Sequence, residues 1–273
     1  MKLINGKKLA EGIKDKVVKE IIALDGGRPN LAIILIGERE DSNLYVSLKE
    51  KEAVKVGIDT HTYRMDSSIS EKEVLIAIDC LNADNLVDGI LVQLPLPKKF
   101  NTDKIIDRID FTKDVDRFHQ KNLNDKEIIS PVYSSVLEVL ASIKYELKDK
   151  AVGIVYNSPI FGESLAKILS SKGAKVDLIQ SEDKELGKKI SQVDVLITAV
   201  GKPLFIKKDM IKEGVAIIDI GITKVGDKVL GDVDSVDIKD KASYLTPVPG
   251  GIGPMTIAGL FKNTLAIYKK RNH

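Results

Sequence analysis

An α/β protein in two halves, each a sheet layered between helices, is predicted from three features of the chain. Apolar runs that end in glycine or proline alternate with helical segments along the whole length. The alternation is not broken by internal repeats or low-complexity tracts. The 273 residues, 43% apolar and 30% charged, are enough for one large or two modest soluble domains with a buried core.

The totals also exclude classes. Lys plus Arg number 42 against 40 Asp plus Glu, a balance that gives no reason to expect nucleic acid or an acidic membrane as partner. No apolar run is long enough to span a bilayer, and the opening residues MKLINGKKLAEGIKDKV read as a short strand and an amphipathic helix, not as a signal peptide. A single cysteine, Cys80, excludes an internal disulfide framework and fits a reducing cytosol. Histidines at 61, 119 and 273 form no Cys/His cluster, so no metal site is expected.

Taken in order, Leu31–Ile36 is a continuous apolar run ending at Gly37, the mark of a strand buried on both faces. Asp41–Ile58, DSNLYVSLKEKEAVKVGI, reads as one helix, capped by Asp41 or Ser42 and closed by Gly57 where a left-handed residue is needed. Tyr45, Lys49, Ala53 and Val56 fall on one stripe of it, with Val46 beside them. A lysine within an apolar stripe is costly unless it is paired or gives up its proton, which marks Lys49 as placed for chemistry. The competing reading sets Lys49 at the edge of the stripe, with its ammonium in water. A strand near Ile58–Met65, a helix capped at Ser70 in capping-box spacing with Glu73, and a strand Val87–Leu94 closed by Pro95-Leu96-Pro97 complete a βαβαβ series. Ligands of such sheets bind beyond the carboxyl ends of the strands, where Gln93 and the helix carrying Tyr45 and Lys49 should meet.

The charged stretch Lys113–His119 reads by itself as a surface linker between domains. A helix over about 132–147 then leads into strands at Ala151–Val155, Lys175–Ile179, Val195–Val200 and Val215–Ile220. Helices opening near Ser158 and Lys184 separate them, giving a Rossmann-like, doubly wound parallel sheet. Near the end, Thr246–Thr256 packs three prolines and three glycines into eleven residues, a backbone fixed for close approach to a ligand. Pro254 is suited to the first position of the closing helix.

Two such halves with a nucleotide-type sheet second suggest a cleft enzyme. A Tyr-x-x-x-Lys pair first suggests a short-chain dehydrogenase, but that class carries the pair downstream of a glycine-rich first turn, and here it lies in the first quarter. The motifs instead resemble the methylenetetrahydrofolate dehydrogenase/methenyltetrahydrofolate cyclohydrolase family over nearly the whole chain. The resemblance rests on Ser42-Asn43-Leu44-Tyr45-Val46-x-x-Lys49, Asp88–Pro97 (DGILVQLPLP), Lys113-Asp114-Val115-Asp116, Gly201-Lys202-Pro203, Asp219-Ile220-Gly221-Ile222 and Pro247–Thr256 (PVPGGIGPMT).

This resemblance implies oxidation of 5,10-methylenetetrahydrofolate by hydride transfer to NADP, with NAD the competing acceptor, and hydrolysis of the methenyl product to 10-formyltetrahydrofolate. It implies Lys49 as the central catalytic group, oriented by Gln93, with Tyr45 on the folate, Asp116 holding the pterin ring, and Pro249, Gly250 and Gly251 lining the cleft. For the dinucleotide it implies Asn157, Ser158, Pro159, Ile160, Gly162, Ser181, Gly201, Ile222 and Thr256, and no metal. The expected domains are 1–118 plus 254–273 for folate and catalysis, and 119–253 for NAD(P). A cytoplasmic homodimer, joined through the second domain, is the expected assembly.

Three segments depart from the family pattern, one of them its Pro-Cys-Thr-Pro before the linking helix, here Pro131-Val132-Tyr133-Ser134. Its cofactor turn, Gly-Arg-Ser-x-Ile-Val-Gly-x-Pro, is here Tyr156-Asn157-Ser158-Pro159-Ile160-Phe161-Gly162-Glu163-Ser164, without the first glycine or the cation. Its Cys-His-Ser-x-Thr segment is Ile179-Gln180-Ser181-Glu182-Asp183, whose carboxylates favour a free ribose 2′-hydroxyl. A cyclohydrolase with weak or NAD-preferring dehydrogenase activity is therefore the alternative; from another class, a non-catalytic folate or nucleotide binder would have no evident need for Lys49.

Overall fold

The structure, a computed structural model, describes residues 1–123, 125 and 127–272; His273, one of the three histidines and the last residue of the expected first domain, lies outside the described residues. In chain order the elements are β1 (Lys2–Leu3), α1 (Gly6–Ile22), β2 (Asn30–Ile36), α2 (Glu40–Val56), β3 (Asp59–Met65), α3 (Glu71–Ala83), β4 (Gly89–Val92) and α4 (Thr102–Ile106). There follow α5 (Pro131–Ser142), β5 (Ala151–Tyr156), α6 (Pro159–Ser171), β6 (Lys175–Gln180), α7 (Leu186–Ile190), β7 (Val195–Ala199) and β8 (Ala216–Asp219). Last come β9 (Thr223–Val225), β10 (Lys228–Leu230), β11 (Tyr244–Leu245) and α8 (Ile252–Asn272). The chain divides into two compact units: Ala10–Ser134 with Ile257–His273, and Met1–Leu9 with Ser135–Thr256.

The first of these units is built on a three-stranded parallel sheet in the order β3-β2-β4. Central β2 shows why a continuous apolar run was required. Leu31, Ile33 and Leu35 enter one core with Val46 and Ala53 of α2 and Phe261 and Leu265 of α8. Ala32, Ile34 and Ile36 enter the opposite core with Val74 and Ile78 of α3. The two-residue period of a strand sends alternate side chains to opposite faces, and each buried Leu or Ile adds roughly 1.5–3 kcal/mol.

Local chemistry closes the helices as the sequence suggests, with one exception. Ser70 and Glu73 form the capping box of α3, and Gly57, at φ 83°, donates its N–H to Ala53 and Val54 at the end of α2. The start of α2 differs from expectation. Arg39 occupies the cap position, and Asp41 instead accepts hydrogen bonds from the Arg39 guanidinium and the Ser42 N–H.

The stretch 113–119, which alone reads as a surface linker, is folded into the edge of this unit. The buried Lys113 ammonium donates to the carbonyls of Leu81, Asn82 and Asp84 at 3.0, 2.8 and 2.7 Å. Buried Asp114 accepts from the N–H groups of Arg117 and His119 and from the Asn122 amide. Arg117, at φ 61°, pairs with Asp125 and donates to the carbonyls of Phe111 and Ile128. Charges that look solvated in sequence are here consumed by backbone carbonyls and each other, as burial requires.

The other unit holds a six-stranded parallel sheet in the order β1-β11-β8-β7-β5-β6, with β9 and β10 as a separate antiparallel pair. β1 joins it through the register Lys2↔Tyr244 and Leu3↔Leu245. The observed bounds therefore differ from the expected 1–118 plus 254–273 and 119–253 in three segments: residues 1–9 and 254–256 go with the six-stranded sheet, and 119–134 go with the three-stranded one. The Asn263 amide, donating to the carbonyls of Val115 and Ile129, helps fix the latter segment. α8 begins at Ile252, so Pro254 is its third residue and not its first. None of its described helices is long and apolar enough to cross a membrane.

Candidate active site

In the three-stranded unit, α2 and the end of β4 bring two of the expected site residues into direct contact. Ser42, Val46, Ala53 and Val56 form the buried side of α2, and Tyr45 and Lys49 stand half-buried beside it. The Lys49 ammonium donates to Gln93 Oε1 at 2.8 Å, and Gln93 Nε2 donates to the Leu94 carbonyl at 2.6 Å. Gln93 follows the last residue of β4, and its N–H continues the ladder to the Ile34 carbonyl at 2.9 Å. The amide is thus held at both ends, so its carbonyl oxygen, not its NH2, faces the amine.

Lys49 is partly shielded from solvent. Desolvation pushes its pKa below the ordinary lysine value, and the nearby Asp116 charge opposes the fall. Asp116 shows the reciprocal effect: burial, reinforced by Asp114 and countered by Lys49, raises its carboxyl to about 6. Among the described residues none donates a hydrogen bond to the Asp116 carboxylate, which lines a small recess with Val92, Leu94, Ile106, Ile109, Asp114 and Phe118. Burial likewise raises the Tyr45 phenol, with Asp41 adding to the shift. Ser42, a cap candidate in the sequence, is instead inside α2, its hydroxyl buried without a hydrogen-bond partner among the described residues.

In the six-stranded unit Asn157, Ser158, Pro159, Ile160 and Gly162 follow β5, Ser181 follows β6 and Gly201 follows β7. Ser158 caps α6 by accepting from the Phe161 N–H, with Pro159 in the first helical position. Tyr156, which stands where the family has glycine, turns its buried ring onto α6: a Cβ added to Gly162 would meet that ring at 2.8 Å. Asn157 donates to the Val200 carbonyl at 2.7 Å and accepts from Ser181 Oγ at 2.6 Å. Ser181 also reaches Glu182 Oε1 at 2.6 Å, and Lys202 donates to Ser181 Oγ at 3.0 Å and to Glu182 Oε1 at 2.9 Å. Gly201, at φ 68°, leaves open space where a side chain would begin. A hydroxyl, a carboxylate and an ammonium at this edge fit the ribose end of a nicotinamide dinucleotide. Glu182 and Lys202 were not singled out as site residues, although Gly201-Lys202-Pro203 was visible as a motif; only the fold shows that its lysine reaches β6.

Behind that edge lies a buried acid pair. Asp219 accepts from the N–H groups of Gly221, Asp232 and Val233. Asp232 accepts from the Thr198 hydroxyl and the Val200 and Lys202 N–H groups. Burial and the neighbouring Asp232 raise Asp219 to about 7. Of the remaining expected residues, Ile222 is exposed and Thr256 donates to the Gly253 carbonyl within α8. Pro249, Gly250 and Gly251 belong to this same unit, packed so closely on α1 that a Cβ on Gly6 would fall on the Gly251 carbonyl.

A parallel sheet with ribose-type groups past its strand ends, and a second α/β unit that holds a desolvated amine, define the class of nicotinamide-dependent enzymes acting on a small molecule. Two family profiles match the chain: the tetrahydrofolate dehydrogenase/cyclohydrolase catalytic domain over residues 4–116, and the NAD(P)-binding domain of the same family over residues 131–272. The chain belongs to the tetrahydrofolate dehydrogenase/cyclohydrolase family. It is 41% identical to the bifunctional protein FolD of Nitratiruptor sp., with 99% of each chain covered, and 42% identical to that of Nautilia profundicola, with 98% of each covered. The bifunctional FolD structure from Campylobacter jejuni superposes with a TM-score of 0.93 at 38% identity, covering 99% of each chain. The Trypanosoma brucei FolD, solved with NADP and an inhibitor, gives 0.93 at 29% identity, covering 98% of this chain and 97% of that one.

Proposed function

We propose that the protein oxidises 5,10-methylenetetrahydrofolate to the methenyl compound and hydrolyses that compound to 10-formyltetrahydrofolate. One observation carries the reading: a desolvated amine is held 2.8 Å from a fixed amide oxygen, beside a carboxylate to which no described residue donates a hydrogen bond. The methenyl group is a cation spread over two nitrogens. A cation arriving near Lys49 adds to the desolvation that already favours the neutral amine. Neutral Lys49 then takes a proton from the attacking water and returns it as the ring opens. Gln93 accepts an amine N–H and so aims the nitrogen lone pair. Asp116 supplies the acceptor for the donor groups of the pterin ring, and Tyr45 covers the ring from the same helix. The family resemblance adds Pro249, Gly250 and Gly251 to the residues that bind folate.

The nicotinamide dinucleotide supplies the hydride acceptor when bound, held by Asn157, Ser158, Pro159, Ile160, Gly162, Ser181, Gly201, Ile222 and Thr256. NADP is the acceptor the family resemblance implies, and the Trypanosoma brucei relative was solved with it. The Glu182 carboxylate beside Ser181 supports NAD as the second reading. The assembly proposed is a cytoplasmic homodimer, checked by light scattering of the purified protein. Reduction of NADP or NAD in the presence of methylenetetrahydrofolate, followed by decay of the methenyl chromophore, tests both steps. Decay of added methenyl compound with no dinucleotide reduced would replace the bifunctional reading with that of a cyclohydrolase alone.

A further inference from the structure

The dinucleotide edge of the six-stranded unit contains a charge pair, Lys202 with Glu182. Where the family often places a cation after β5 stands the uncharged Asn157, whose amide donates to the Val200 carbonyl and accepts from Ser181. An ammonium that does reach the edge is that of Lys202, from the turn after β7. It meets Ser181 Oγ at 3.0 Å and Glu182 Oε1 at 2.9 Å, and it sits 5.3 Å from the centre of the Phe205 ring. The Asp183 carboxylate, next in sequence, is paired with the Lys189 ammonium at 2.6 Å.

We propose that Glu182 and Lys202 together read the 2′ position of the adenosine ribose, and that the pair as it stands selects the free hydroxyl over the phosphate. This rests on the dinucleotide reading given above. A 2′-hydroxyl donates to the Glu182 carboxylate and leaves the ion pair with Lys202 in place. A 2′-phosphate, with almost two negative charges, must instead take Lys202 from Glu182 and leave that carboxylate beside it. Neutralised by Glu182, Lys202 brings no net charge to offset the phosphate, and the repulsion is felt directly at hydrogen-bond range. Ser181 does not decide the matter, because its hydroxyl accepts from Lys202 in either case. The pair therefore works as a selector whose setting depends on the carboxylate: with it the site suits NAD, and without it the lysine is released to bind phosphate.

The test is fluorescence titration of the purified full chain with NADH and with NADPH, taking the ratio of the two dissociation constants for each variant. That ratio cancels any loss common to both ligands, and it needs no turnover. The wild type is expected to bind NADH more tightly. Glu182→Gln is expected to move the ratio about tenfold towards NADPH, and Lys202→Gln to weaken NADPH alone by about tenfold. A wild type that binds NADPH more tightly, or ratios unmoved by both substitutions, would overturn the selector while leaving the enzyme assignment intact. Binding of neither dinucleotide by any form would overturn the dinucleotide reading itself, and the selector with it.

Discussion

Asp116 of the three-stranded unit and Asp219 of the six-stranded unit are both carboxyls raised by burial, to about 6 and about 7. Their surroundings separate them. Asp219 accepts three backbone N–H groups and shares its pocket with Asp232, whose own acceptors are filled by Thr198, Val200 and Lys202. Every oxygen there is committed to holding the turns after β7 and β8. Asp116 is also raised by desolvation but has no hydrogen-bond donor among the described residues, and its main electrostatic partner is the amine of Lys49. A buried acid whose acceptors are satisfied is architecture, whereas one whose acceptors are left open is poised for a ligand. The shift alone does not distinguish them; the donors do.

The sharpest way to break that distinction is at Lys49. Replacing Lys49 by Ala should lower methenyltetrahydrofolate hydrolysis by roughly 10²–10⁴-fold, the range of a general base, with the circular dichroism of the fold unchanged. A hydrolysis rate within twofold of wild type would mean that the desolvated amine is not the base. Gln93→Met comes next. It deletes the acceptor 2.8 Å from the amine, leaving a polar group without its partner, and should cost about 10–100-fold in rate. Because Gln93 accepts from the charged form, its removal favours the neutral amine, and the acid limb of the pH–rate profile should move to lower pH. Movement to higher pH would contradict the hydrogen-bond direction assigned here.

Asp116→Asn tests the open acceptors. A carboxyl with a pKa of about 6 loses its charge as pH falls through that value, so the folate KM of the wild type should rise below pH 6. In the Asn variant KM should already be high, about tenfold at pH 7.5, and should respond little to pH over the same range. Matching KM–pH curves for the two proteins would remove Asp116 from the folate site.

Asp219 should answer through stability and not through KM. Its folded pKa lies above the unfolded value, so the protonated acid stabilises the fold fully below about pH 4, and that contribution is lost as pH rises through 7. The loss is on the order of 3 kcal/mol across that window. Asp219→Asn cannot titrate, so its urea midpoint should fall less than that of the wild type between pH 4.5 and 8. Equal slopes for the two would show that Asp219 is ionised throughout.

What was legible in the chain follows the range of the physics. β2 announced itself because a strand buried on both faces needs an unbroken apolar run, and α3 because Ser70 and Glu73 cap it locally. Lys49 stood out because an ammonium within an apolar stripe is an anomaly at any depth. The two-residue strands β1 and β11 were not legible as partners, since no periodicity develops in two residues and their pairing spans Lys2 to Tyr244. Lys113, Asp114 and Arg117 looked like a solvated linker because their partners are mostly backbone carbonyls and N–H groups, which carry no residue signature. Lys202 was hidden for a related reason: its meeting with Ser181 and Glu182 joins the ends of β6 and β7, a contact set by strand order alone.

Tyr156 gives the smallest expected effect and a direct view of how the six-stranded unit absorbs a departure from its family. The tyrosine is buried at the end of β5, and the room for its ring comes from Gly162 one turn into α6, where an added Cβ would lie 2.8 Å from the ring. Gly162→Ala should therefore destabilise the protein by about 1–3 kcal/mol through overpacking, although alanine is the better helix former by nearly 1 kcal/mol. With Tyr156→Ala in the same chain the clash is gone and the helix preference remains, so adding Gly162→Ala to that variant should be neutral or mildly stabilising. The double-mutant cycle, read from urea midpoints, should thus show a coupling of about 1–3 kcal/mol between two residues in contact. Additive effects would mean that the ring moves aside freely, and that Gly162 is required by the dinucleotide and not by Tyr156.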